Sequence, residues 1–78
     1  MSRAAKIRWR CRRGRRELDL LLERYLERCY EQADAAERLI FEALLERSDP
    51  DLEDLLVGRT APDSQNQERL IERIRGND

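Results

Sequence analysis

Leu18, Leu21, Leu22, Tyr25, Leu26 and Cys29 recur at steps of three and four residues. That spacing winds them onto one broad apolar face of a helix over residues 17–31. Glu23, Arg24, Glu27 and Arg28 fall on the other side. Such a helix must dock on other elements, and the chain supplies them. Asp34, followed three residues later by Glu37, has the form of a capping box. It opens a helix whose apolar positions, Leu39, Ile40, Phe41, Ala43, Leu44 and Leu45, are wide enough to face two neighbours. Ser48-Asp49-Pro50 ends that helix, because proline cannot continue one helix but suits the first turn of the next. A short fourth helix follows, with Leu52, Leu55, Leu56 and Val57 expected inward, and Gly58 ends it. Residues 59–63, holding Pro62, read as a loop. Asp63 or Ser64 then caps a last helix carrying Leu70, Ile71 and Ile74, which closes at Gly76.

Ahead of these, residues 3–13 fit an amphipathic helix with Ala4, Ile7 and Cys11 on one face. Trp9 projects from the opposite side, either as core under another element or as an exposed anchor of the kind enriched at binding hot spots. Gly14 stands between two helical patterns, where a positive φ reverses the chain. The pattern predicts an all-α fold: a single-domain bundle of about five short helices over residues 1–78.

Composition narrows the function classes. A chain of 78 residues buries little over half of its unfolded surface, and a deep pocket would remove much of that core. A binding module is the better expectation. Charged residues make up 42% and aromatics 5%, and β-branched residues are too scarce to build a sheet. The net charge of −1 conceals a polarity along the chain. Residues 1–16 carry eight basic side chains and no acid, whereas the rest carry eight basic and seventeen acidic groups. Either a partner of opposite sign is implied, or the two halves pair with each other.

Chemistry is poorly supplied. With no histidine, acid–base work near neutral pH would need a perturbed Glu, Asp, Lys or Cys. Cys11 and Cys29 lack CxxC spacing, so they are expected as reduced thiols and the protein as cytoplasmic. The three glycines stand apart and form no phosphate loop. Asp49, Asp51, Glu53 and Asp54 lack calcium-loop spacing and suit the negative first turn of a helix. No catalytic residue, metal ligand or enzyme activity is expected, and no apolar run approaches the roughly 20 residues that span a membrane. The arginine-rich, acid-poor start is similar to an organellar transit peptide, yet it runs into the helical pattern and is expected to be part of the fold. The basic run at residues 8–16 admits a solvated face, an acidic protein surface or nucleic-acid phosphates. Glu17 suits a helix start electrostatically, and Gly14 suits a helix terminator.

Arg8-Trp9-Arg10-Cys11-Arg12-Arg13-Gly14-Arg15-Arg16-Glu17-Leu18-Asp19 resembles the bacterial succinate dehydrogenase flavinylation factors, the SdhE-like family, related to a mitochondrial assembly factor for the same flavoprotein. Arg13, Gly14 and Glu17 match the family's Arg-Gly-x-x-Glu motif, and Leu44-Leu45-Glu46-Arg47-Ser48-Asp49-Pro50-Asp51-Leu52 is similar to a second family segment. Arg15 and Leu55 stand where relatives often carry an apolar and an aromatic residue respectively. The resemblance implies a five-helix FAD assembly factor, a chaperone without metal or stably bound cofactor, and a monomer is the default expectation. It would bind the flavoprotein subunit of succinate dehydrogenase, and by extension that of fumarate reductase, and promote covalent attachment of the FAD held there to a partner histidine. The implied partner-binding residues are Arg13, Gly14 and Glu17, with Trp9, Arg10, Arg12 and Arg16 around them. On this view Gly14 allows close approach, Arg13 pairs with a carboxylate or carbonyls, and Glu17 meets a basic or donor group. The alternative is a small basic-armed nucleic-acid-binding or antitoxin-like protein.

Overall fold

The computed structural model describes residues 3–76, with the side chains of Arg3 and Ala4 outside the description. Among the described residues five α-helices follow one another: α1 (Arg3–Arg10), α2 (Arg16–Arg28), α3 (Ala35–Leu44), α4 (Asp49–Val57) and α5 (Gln65–Arg75). No strand occurs among the described residues. α5 packs against α2, α3 and α4, and one core joins all five helices. Ile7 and Cys11 enter it from the first segment, Leu18, Leu22, Tyr25 and Leu26 from α2, and Phe41, Leu44 and Leu45 from α3 and its end. Leu52, Leu55, Leu56, Leu70, Ile71 and Ile74 complete it.

The helix starts follow the sequence closely. Asp34, Ser48 and Ser64 are the N-caps of α3, α4 and α5, and each side chain accepts a backbone N–H three residues on. Pro50 sits in the first turn of α4. The capping box expected at α3 is only half formed. Glu37 turns inward instead, accepting the Tyr25 hydroxyl at 2.5 Å and Arg73 Nη1 at 2.8 Å, and so ties α2, α3 and α5 together. Tyr25 stacks beside Phe41 with ring centroids 4.6 Å apart.

Three expectations are corrected. The helix expected over residues 17–31 breaks at Cys29 into a 3-10 turn, Tyr30–Gln32. Tyr30 packs there against Phe41 and donates to Glu42 at 2.9 Å. The first helix stops at Arg10 rather than Arg13, because the Arg13 N–H bonds to the Asp19 carboxylate and not to α1. Val57, expected inward, is 56% exposed, and Leu39 and Ala43 also face solvent, so the apolar face of α3 is narrower than its sequence suggests.

The helix ends share one device. Each α-helix leaves its last carbonyls without helical partners, at the negative end of its dipole. Arg38 bonds the carbonyls of Tyr30 and Glu31 just after α2. Arg13 bonds those of Leu45 and Arg47 after α3. Arg75 bonds Leu55 and Leu56 at the end of α4, and Arg24 bonds Ile74 at the end of α5 at 2.9 Å. The guanidinium fork supplies several donors at once while its stem lies along the bundle.

Replacing Arg75 with alanine is expected to cost about 1–2 kcal/mol, since it strips charged donors from two carbonyls. Arg69→Ala, which removes an exposed arginine with no such bond, should stay within about 0.5 kcal/mol. Urea denaturation of both variants checks the contrast. Burial also pushes the Cys11 thiol up to about 11, against the opposing pull of Arg8 and Arg13, and raises Tyr25 as well, where the bond to Glu37 adds to it. Both groups are neutral when protonated and their folded values lie above the unfolded ones. The Cys11 contribution is therefore complete below about pH 9 and lost as pH rises toward 11, whereas that of Tyr25 begins to fall only above its ordinary value of 10. Urea midpoints should fall over that window, and Cys11→Ala should flatten the earlier part of the fall.

Candidate functional site

The chain between α1 and α2 forms a sharp corner. Gly14 lies there at φ +83°, in the left-handed region. Alanine there would be strained by the backbone, yet its Cβ would meet nothing within 4 Å. The glycine therefore serves the turn itself, and its outer side opens to solvent. Arg15 follows in extended conformation as the N-cap residue of α2, with no side-chain cap. Neither Arg13 nor Gly14 donates a backbone–backbone hydrogen bond among the described residues. Both N–H groups point instead at Asp19 in the first turn of α2, at 2.7 Å to Oδ1 and 3.3 Å to Oδ2.

Arg13 is the other builder of the corner. Its Nε donates to Asp49 Oδ1 at 2.8 Å, and Nη1 donates to the carbonyls of Leu45 at 2.7 Å and Arg10 at 3.3 Å. Nη2 donates to Arg47 O. Four of the five N–H donors of its guanidinium are thus engaged within the chain, and only 14% of the side chain is exposed. The arginine expected to grip a partner's carboxylate and carbonyls already holds the chain's own, at the junction of α1, α3 and α4.

The remaining residues of the expected face divide clearly. Glu17 is exposed, and its side chain makes no hydrogen bond or ion pair among the described residues. The side chains of Arg12 and Arg16 are likewise exposed and unpaired there. Arg10 is bonded to Glu46, and Trp9 is 68% exposed, so the core reading of Trp9 is set aside. Much of the basic run folds back on the acidic part of the chain: Arg8 faces Glu27 at 3.9 Å, and Arg15 meets Glu53 at 2.7 Å. Of the two sequence readings of the charge polarity, pairing between the halves therefore accounts for four of the cations among the described side chains, with Arg10 and Arg13 as the other two.

Two residues of this region escaped the sequence reading. Asp19 looked like any acid in a first helical turn, and its reach back to Arg13 and Gly14 has no periodic signature. Leu20, 56% exposed, lies three residues from Glu17 and hence on the same side of α2. Its signal was a leucine outside the apolar stripe. A groove lined by Ala5, Arg8, Leu26, Tyr30, Ala35 and Leu39 lies apart from the corner and is open to solvent. Among the described residues no group of three or more potential ligands could hold a metal, and no helix is long and apolar enough to cross a membrane.

These features define a class: a small helical bundle whose arginines are mostly engaged internally and whose α1–α2 corner displays a bare glycine and an unpaired glutamate. Residues 5–78 match the family model described as the flavinator of succinate dehydrogenase, and the chain belongs to that family. It is 45% identical over 69 residues to the FAD assembly factor SdhE of Coxiella burnetii, covering 88% of this chain and 84% of that one. Identity to the FAD assembly factor SdhE of Methylococcus capsulatus is 39% over 75 residues, covering 96% and 90%. With the same-named protein of Aliivibrio fischeri it is 34% over 70 residues, covering 90% and 81%. No solved structure gives a significant match.

Gly14→Ala is expected to cost about 1–2 kcal/mol from backbone strain alone, with no added clash. Glu17→Ala should cost less than about 1 kcal/mol, the size of its favourable position near a helix N-terminus. Chemical denaturation separates the two, and a larger loss at Glu17 would show that it holds the fold.

Proposed function

We propose that this chain is an FAD assembly factor, a non-catalytic chaperone that docks on the flavoprotein subunit of succinate dehydrogenase and promotes covalent attachment of FAD to a histidine of that subunit. The flavoprotein subunit of fumarate reductase is a second client of the same chemistry. The observation that carries this reading is Glu17: a carboxylate with no partner among the described residues, three positions after a glycine whose backbone is open to approach. The family and the names of its relatives support the client, and the exposed corner supports the mode of contact.

In this reading Glu17 meets a basic or donor group of the client, Gly14 allows the two backbones to come close, and Arg12, Arg16 and Trp9 border the contact. Arg10 lies on the same arm with its charge shared with Glu46. Arg13 acts from behind, fixing the corner against α3 and α4 rather than reaching across. The FAD stays on the client, and this chain holds none stably. Bond formation would lie wholly within the client, between its bound flavin and its histidine, and this chain would contribute no reacting group to it. Docking raises the population of the client arrangement from which that attachment proceeds. The chain acts as a cytoplasmic monomer, without nucleic acid and without inserting in a membrane. Internal pairing of Arg8, Arg10, Arg13 and Arg15 removes much of the positive surface that phosphate binding would use.

Incubating the client subunit with FAD, with and without this chain, and reading covalent flavin by ultraviolet fluorescence of the denatured protein tests the proposal. The wild-type chain should accelerate adduct formation, and Glu17→Ala should lose most of that effect, by about tenfold or more, while remaining folded. Full loading by Glu17→Ala would remove that carboxylate from the mechanism.

A further inference from the structure

We propose that Asp19 is the positioning residue of the docking corner, holding Gly14 and Glu17 in the arrangement the client recognises. The inference rests on the docking reading above and assigns the corner's shape to a carboxylate outside the Arg-Gly-x-x-Glu motif. Three observations carry it. The N–H groups of Arg13 and Gly14 have the Asp19 oxygens as their acceptors, and neither makes a backbone–backbone bond among the described residues. Gly14 is held at φ +83° with nothing within 4 Å of where its Cβ would be, so crowding does not impose that conformation. The N-cap residue of α2, Arg15, caps no backbone N–H with its side chain, so the side chain that joins this end of the helix to the turn is that of Asp19.

A glycine without a restraint samples both signs of φ at little cost. One carboxylate accepting two successive N–H groups, by charge-assisted bonds, selects the left-handed state. It also fixes the turn to the helix that carries Glu17, because Asp19 lies two residues further along α2. Arg13 secures the other side through Asp49 and the end of α3. Without Asp19 the bundle keeps its core, since the Asp19 side chain belongs to the corner and not to the apolar cluster. The corner then spreads over several conformations, and apparent affinity falls in proportion to the fraction that is competent.

The test compares Asp19→Ala, Asp19→Asn and Glu17→Ala in client flavinylation over a range of chaperone concentrations. Ile71→Val, a core change remote from the corner, serves as a destabilised control. Asp19→Ala is expected to raise the concentration giving half-maximal rate by about tenfold, with the plateau recovered at saturation. Asp19→Asn, which keeps one acceptor oxygen, should fall between it and wild type. Amide hydrogen exchange at Arg13 and Gly14 should quicken in the same order, while Ile71→Val changes neither readout at the corner. An unchanged half-maximal concentration in Asp19→Ala alongside impaired Glu17→Ala overturns this inference and leaves the docking reading standing. An equal shift in Ile71→Val overturns it too, by reducing the effect to lost stability. If neither Glu17→Ala nor Asp19→Ala alters flavinylation, the docking reading itself falls.

Discussion

The helices of this protein are sealed at their C-terminal ends by arginines from elsewhere in the chain. An α-helix ends in carbonyls that cannot pair within it, and in a bundle of short helices such ends form a large part of the whole. Arg38, Arg13, Arg75 and Arg24 close the ends after α2, α3, α4 and α5 in turn. Each bond joins parts of the chain that the core also brings together, so capping and packing reinforce one another. A composition with 42% charged residues is thereby compatible with a defined fold. Much of the charge is scaffolding.

The corner between α1 and α2 is a consequence of the same arrangement. Arg13 seals α3 and pairs with the first residue of α4, which pins the chain just before Gly14. Asp19 pins it from the other direction. What remains outward is a short stretch with an open glycine and, one helical step on, a glutamate that no other described residue engages. Rigid support behind and free chemistry in front is the arrangement that a recognition surface requires.

The sequence made the bundle legible wherever the information was periodic or local. The stripe from Leu18 to Cys29, the caps Asp34, Ser48 and Ser64, and the turns at Gly14, Gly58 and Gly76 depend on neighbours a few residues apart. The family motif drew attention to Arg13, Gly14 and Glu17 in one step. What stayed hidden was the direction in which a side chain would turn. Arg13 and Glu17 are both charged residues within three positions of Gly14, yet the side chain of one bonds residues 32 to 36 positions away and that of the other bonds none among those described. Glu37 likewise left its expected cap for Tyr25 and Arg73, a choice that depends on α5 being packed nearby. The inward expectation for Val57 failed because a four-residue apolar cluster exceeds what one short helix buries against its neighbours.

The vacant volume outside Gly14 has a use as a gauge. Within the isolated bundle a methyl group placed there has no neighbour to strike, so its intramolecular effect is confined to the torsional cost of the turn. Any additional penalty that appears only in a complex reports how tightly the visiting chain presses on that bare backbone. Progressively bulkier side chains at this one position would then map the gap between two proteins from one side alone.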